Sequence, residues 1–178
     1  FLQLYAKYIQ PVAETFAYCL LPNHFHFALR TYTEEEQEAY HAAQQIGPIS
    51  EIGPIFKLQE PSRAFNNMFI AYTRALNKAT QRTGALFERP FHRKLVTNHR
   101  YLLTLITYIH HNPQKHGFVD DFRDWPWSSY SAMLSNKTTR LSREEVLAWY
   151  HGRSHFTDAH ATAQDNQLIA PLLLEDWF

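Results

Sequence analysis

The sequence predicts an α+β chain, and three observations predict it. Two aromatic-rich segments, Glu14–Cys19 and His24–Arg30, flank the turn Leu21-Pro22-Asn23 and read as paired antiparallel strands. Apolar residues then recur at helical spacing over 62–81 and 101–111, with a capped helix start near 142. The 178 residues, 45% hydrophobic and 15% aromatic, are enough to enclose a sizeable core.

Taken in order, Leu2–Ile9 reads as the end of a helix stopped by Pro11. The strand pair follows, and then Thr31–Glu60, a polar and partly helical patch. Within it Ile46-Gly47-Pro48-Ile49 and Ile52-Gly53-Pro54-Ile55 form a repeated turn too short for a repeat fold. Ser62 is the expected cap of a helix to about Gln81, with Phe65, Phe69, Tyr72 and Leu76 on one face and Gly84 at its end. Leu86–Val96 reads as a basic strand that Pro90 confines to a sheet edge or bends. Asn98 caps a helix over Tyr101–His111, expected to stop where Asn112 precedes Pro113. Ser142 and Glu145 form an S-x-x-E capping pattern ahead of Val146, Leu147 and Trp149. The apolar tail Leu168–Phe178 is expected to dock on the domain or on a partner.

Seventeen Lys and Arg balance seventeen Asp and Glu, so no global positive field announces a nucleic-acid partner. The distribution is uneven, however. Residues 82–100 hold Arg82, Arg89, Arg93, Lys94 and Arg100 against Glu88 alone, with His92 and His99 among them. Arg89, His92, Arg93 and Lys94 are therefore candidate backbone-phosphate contacts, or equally a solvated edge that resists aggregation. Lys115 and His116 follow the 101–111 helix closely enough to join them. Trp125 and Trp127 are open to two readings, base stacking or a structural plug. The single cysteine, Cys19, excludes an intrachain disulfide and reads as a small buried hydrophobe. With no membrane-length apolar run and no signal-peptide pattern, a reducing cytoplasmic setting and no membrane partner are expected.

The chemistry concentrates in two places. Side chains alternate along a strand, so His24 and His26 project from one face and Phe25 and Phe27 from the other. Two neutral imidazoles on one face suit a metal ion, although they equally suit a solvated strand face. On the 101–111 helix Leu102, Leu103, Leu105, Ile106 and Ile109 form the core face. Tyr108 lies at its margin, and Asn112 lies one turn on, about 40° away. A cation held by His24, His26 and Asn112 can polarise a phosphate while the phenolic oxygen of Tyr108 attacks phosphorus.

Three stretches carry a resemblance: His24-Phe25-His26 after Leu21-Pro22-Asn23, the run from Tyr108 through Asn112-Pro113 to Gly117, and Asp124-Trp125-Pro126-Trp127-Ser128-Ser129-Tyr130. In this order they resemble the signatures of the single-tyrosine HUH transposases, in the branch that includes the REP-associated tyrosine transposases. The resemblance covers roughly 4–134. It implies a ferredoxin- or RRM-like antiparallel sheet with helices packed on it over residues 1–134, and a helical appendage over 135–178. It also implies an opening strand before the first helix. The chain begins at Phe1 inside that helix, so a longer natural N-terminus is expected.

By the same resemblance His24 and His26 are the metal pair, Asn112 the third ligand and Tyr108 the nucleophile that forms a 5′-phosphotyrosine bond and releases a 3′-OH. Mg²⁺ or Mn²⁺ is the implied cofactor, and single-stranded or hairpin DNA the implied partner. A homodimer with the tyrosine helix in cis or in trans is admitted too. Two further readings stay open: a non-catalytic DNA-hairpin-binding regulator derived from such an enzyme, and a plain structural domain.

Overall fold

The computed structural model describes residues 1–44, 57–88 and 91–162. The repeated Ile-Gly-Pro-Ile pair, Arg89 and the apolar tail lie outside them. The architecture is α+β, with helices and a two-stranded antiparallel sheet, β1 (Ala13–Leu20) beside β2 (Phe25–Thr31). By backbone contacts the chain divides into two compact units, Phe1–Glu14 with Arg30–Phe91, and Thr15–Leu29 with His92 onward.

In the first unit α1 (Leu2–Tyr8) packs against α3 (Pro61–Thr80), and Tyr5, Ile9, Ala64 and Met68 are buried there. The helix α3 starts two residues earlier than a Ser62 cap would start it. Glu60 is its N-cap and Pro61 its first residue, where a proline costs no hydrogen bond and its fixed φ suits the helix. It ends at Thr80 because Gln81 is its C-cap and turns into the left-handed region, with φ 54°; Gly84, also at positive φ, comes three residues later. Between them α2 (Glu34–Gln44) opens on a reciprocal capping box: the Glu36 N–H donates to Thr33 Oγ1 (3.3 Å) and the Thr33 N–H to Glu36 Oε2 (2.8 Å).

Among the described residues of 86–96 the expected strand does not form. Residues 86–88 and 91–96 have no regular structure, and Pro90 would in any case have removed a ladder donor. Phe87 and Phe91 are instead anchored by ring contacts on α3, with Phe87 4.7 Å from Phe69 and Phe91 5.4 Å from Phe65. Aromatic packing takes the place of strand pairing there.

The second unit holds the core of α4 (His99–Lys115), the inner face of β1, a 3₁₀ turn (Phe122–Asp124), α5 (Tyr130–Leu134), α6 (Arg143–Trp149) and α7 (Arg153–Thr162). Phe16, Ala17, Cys19, Ile106, Ile109, Met133, Val146 and Phe156 meet in it. Burial pushes the Cys19 thiol up to about 12, which suits an inert core residue. Residues 127–129 run alongside β1: the Leu20 N–H donates to Trp127 O, the Ser129 N–H to Tyr18 O, and Cys19 bridges Ser128. Trp125 donates its indole N–H to Leu20 O, a structural use of that ring.

Asn98 caps α4 by accepting from the Tyr101 N–H. The helix does not stop at His111, however, but runs through Pro113 to Lys115. A proline inside a helix forfeits one hydrogen bond. Here Asn112 and Pro113 are both buried, so packing outweighs the local preference.

His110, buried in the same helix, lies in a chain of hydrogen bonds whose proton positions follow from the acceptors. His160 Nδ1 faces the Phe156 carbonyl at 2.7 Å and must donate, so its Nε2 accepts from His110 Nδ1 at 2.8 Å. His110 Nε2 then accepts from the Ser129 hydroxyl at 2.7 Å, and Ser129 Oγ accepts the Tyr18 N–H at 2.8 Å. His111 donates to the His160 carbonyl and stacks on Phe122. Both ring nitrogens of His110 are thus engaged. The network ties α4, α7 and β1 into one assembly, with no charge needed.

Burial holds these imidazoles neutral. It lowers His160 to about 4 and His110 well below its ordinary value, and in each case a neighbouring histidine adds to the effect. The unfolded chain therefore takes up protons that the folded chain refuses as pH falls from about 6.5 toward 4. Stability should be full above that window and decline through it, by at most about 1.4 kcal/mol per pH unit for each such histidine. Urea midpoints at pH 7.5 and 5 check this. Equal midpoints would refute neutral burial.

Among the described residues no helix is long and apolar enough to cross a membrane.

Candidate functional site

Within the second unit the β1–β2 turn and α4 place six of the candidate residues together. His24 stands just before β2 and His26 inside it. Their ring centroids are 5.1 Å apart, while Phe25 and Phe27 pair at 5.6 Å, the alternation expected of a strand. Asn23 orients His24, its Oδ1 lying 2.9 Å from His24 Nδ1.

The other half comes from α4. Tyr108, Asn112 and Lys115 stand at i, i+4 and i+7, which at about 100° per residue keeps all three within about 60° of one line on the helix. Tyr108 and Asn112 are buried. The Tyr108 ring is 6.1 Å from that of His26, and Asn112 Oδ1 is 3.4 Å from His24 Nε2. Lys115 donates from Nζ to the Tyr108 oxygen at 3.4 Å and lies 4.9 Å from the ring centroid. His116, at the end of the helix, brings its ring to 5.0 Å from His24.

Two atoms in this cluster are buried without a hydrogen-bond partner, His26 Nε2 and Asn112 Nδ2. A second lone pair is also poorly placed, Asn112 Nδ2 being an N–H donor. If His24 Nδ1 donates to Asn23, its Nε2 carries no proton and faces the Asn112 amide across 3.4 Å. Buried polar atoms in a native fold are normally satisfied; a cation held by the two imidazole nitrogens and the amide oxygen would satisfy His26 Nε2, while Asn112 Nδ2, a donor, calls for an acceptor such as a phosphate oxygen. The charge state agrees. Burial, reinforced by His24 and His116, lowers His26 to about 4, and burial lowers His24 as well, so both rings are neutral near pH 7. Among the described residues no group of three or more His, Cys, Asp or Glu side chains could hold a metal. The third protein donor would be an amide, which leaves room for substrate oxygens and suits a hard, weakly held ion such as Mg²⁺ or Mn²⁺.

His92, Arg93 and Lys94 are exposed on the irregular segment that leads to Asn98, and Arg89 lies outside the described residues. Two features were not read from the sequence. One is the orienting role of Asn23. The other is the contact of Lys115 with Tyr108, which the seven-residue spacing would have signalled had α4 been carried past Pro113.

A protein of Haemophilus influenzae, provisionally named a REP-associated tyrosine transposase, is 28% identical to this chain over 117 residues. The match takes in 66% of this chain and 58% of the relative, so the chain spans little more than half the length of that protein. No family profile matches the chain. No solved structure matches it. The similarity to the named relative supports a tyrosine transposase family for this chain.

Proposed function

We propose that this protein cleaves and rejoins single-stranded DNA through a covalent bond between Tyr108 and a 5′-phosphate. The observation that carries the reading is a buried phenol beside two neutral imidazoles and an amide, with His26 Nε2 and Asn112 Nδ2 otherwise unsatisfied. Tyr108 and the histidine pair stand together in one chain, so the reading needs no exchanged helix.

In the first step the Tyr108 oxygen attacks phosphorus. An O–P bond forms to tyrosine, the bond to the 3′ oxygen breaks, the phenol proton is given up, and the leaving oxygen takes a proton to become a 3′-OH. Attack by a 3′-OH on the phosphotyrosine reverses the balance and rejoins the strand, so no nucleotide triphosphate is consumed. His24, His26 and Asn112 would hold Mg²⁺ or Mn²⁺, which when bound supplies Lewis-acid stabilisation of charge on the phosphate oxygens. Asn23 keeps His24 in the tautomer that presents Nε2. Lys115 holds the phenol oxygen in place and opposes the negative charge that grows on it as its proton leaves. His92, Arg93 and Lys94 are the proposed contacts to the DNA backbone, which fix position without reading sequence.

The deciding experiment incubates labelled single strands carrying hairpins with protein and Mn²⁺ or Mg²⁺, and seeks a denaturation-resistant adduct. Tight hairpin binding without an adduct on any substrate would replace the enzyme reading with that of a regulator. In the same assay Lys115→Met should slow adduct formation about 100-fold, the scale on which one donor to a developing oxyanion is lost. Lys115→Arg should recover most of the rate. A Lys115→Met rate equal to wild type would remove the lysine from the chemistry.

A further inference from the structure

Beyond α4 the chain turns through Gly117, whose φ of +70° is in the left-handed region, and the Phe118 N–H donates back to Pro113 O at 2.9 Å. This return fixes the backbone of Phe118 yet leaves its side chain outward, 40% exposed, unusual for a large aromatic residue held so firmly. The ring is not isolated. Its centroid is 6.4 Å from that of His116 and 5.8 Å from that of Trp125, and Trp125 is pinned by its indole N–H on Leu20 O. Because His116 lies 5.0 Å from His24, a continuous row of rings leads from the proposed metal pair outward: His24, His116, Phe118, Trp125.

We infer that Phe118 is a stacking platform for an unpaired nucleobase next to the scissile phosphate. The occupant follows from three observations. A flat, half-exposed ring backed by a second aromatic suits the face of a base, which every nucleotide offers regardless of sequence. The row is continuous with a site proposed to hold a phosphate. The cation on Lys115, three residues away and bonded to Tyr108, complements the backbone that such a base would carry. A base on Phe118 would hold its strand at a set distance from Tyr108, so this platform would fix where along the strand the bond is cut rather than which base is read. The inference rests on the DNA-cleaving reading above.

The test measures affinity of the full chain for a hairpin with a single-stranded flank by fluorescence anisotropy, with one abasic position moved along the flank. One position should cost wild type about 10- to 100-fold, the scale of one stacked base. Phe118→Ala should lose the same factor on intact DNA and lose nothing more at that position. Phe118→Leu, which keeps apolar bulk but no flat face, should behave like Phe118→Ala, and Phe118→Trp should bind like wild type. Wild-type affinity in Phe118→Ala, or an abasic penalty that persists in it, overturns the platform while leaving the enzyme reading intact. A loss of self-association with unchanged DNA affinity would likewise overturn it, in favour of a second copy of this chain. A wild type that binds no single strand and forms no adduct would overturn both.

Discussion

Tyr108→Phe is expected to abolish the covalent DNA adduct, by about 10⁴-fold or more, while DNA affinity and Mn²⁺ affinity stay at wild-type levels. The substitution removes one oxygen atom. The ring keeps its place against His26 and its burial in α4, so packing is preserved. No other side chain of the described cluster is proposed to bond to phosphorus, and loss of a nucleophile typically costs as much as loss of its whole catalytic unit. The measurement is a denaturing gel of radiolabelled strand after incubation with Mn²⁺. An adduct that survives in Tyr108→Phe would move the nucleophile elsewhere and undo the assignment.

His26→Ala should have the second largest effect and a different signature. Removing one of two imidazoles from a three-donor site should weaken Mn²⁺ binding by at least about 100-fold, since even loss of a ligand's outer partner costs 10- to 100-fold. Adduct formation should fall with it and recover in part at high Mn²⁺, which Tyr108→Phe cannot do. Titration calorimetry reads the affinity directly. The pH dependence follows from the imidazoles: metal competes with protons for them, and burial lowers both, His26 to about 4. Mn²⁺ affinity should therefore persist to lower pH than ordinary imidazoles would allow, and be lost as His26 protonates toward 4. A steep fall already between pH 7 and 6 would mean that the histidines titrate normally and are not the buried ligands.

Much of this was legible along the chain because it is local. The strand pair around Leu21-Pro22-Asn23 follows from aromatic enrichment and turn chemistry, the shared face of His24 and His26 from the period of a strand, and the Asn98 cap from residue type. The Thr33-Glu34-Glu35-Glu36 capping box that starts α2 is equally local. Elsewhere tertiary contacts overrode local rules. Pro113 reads as a helix stop, yet burial of Asn112 and Pro113 carries α4 on to Lys115. Basic residues around Pro90 read as an edge strand, yet Phe87 and Phe91 find rings on α3 instead of a ladder partner.

Local residue order sets which chemical groups are available: an H-x-H pair on one strand face, and a tyrosine with an amide one turn later on a helix. Residue type and period 2 or 3.6 suffice for that, since both act within a few residues. That the two groups meet, and how, depends on long-range packing. The distance from His26 to Tyr108 depends on contacts across about 80 residues. These are the core shared by β1 and α4, and the His110–Ser129–His160 chain that holds α4 in place. The unsatisfied His26 and Asn112 atoms and the outward ring of Phe118 emerge only there, because desolvation and exposure belong to the packed molecule and not to any stretch of its chain.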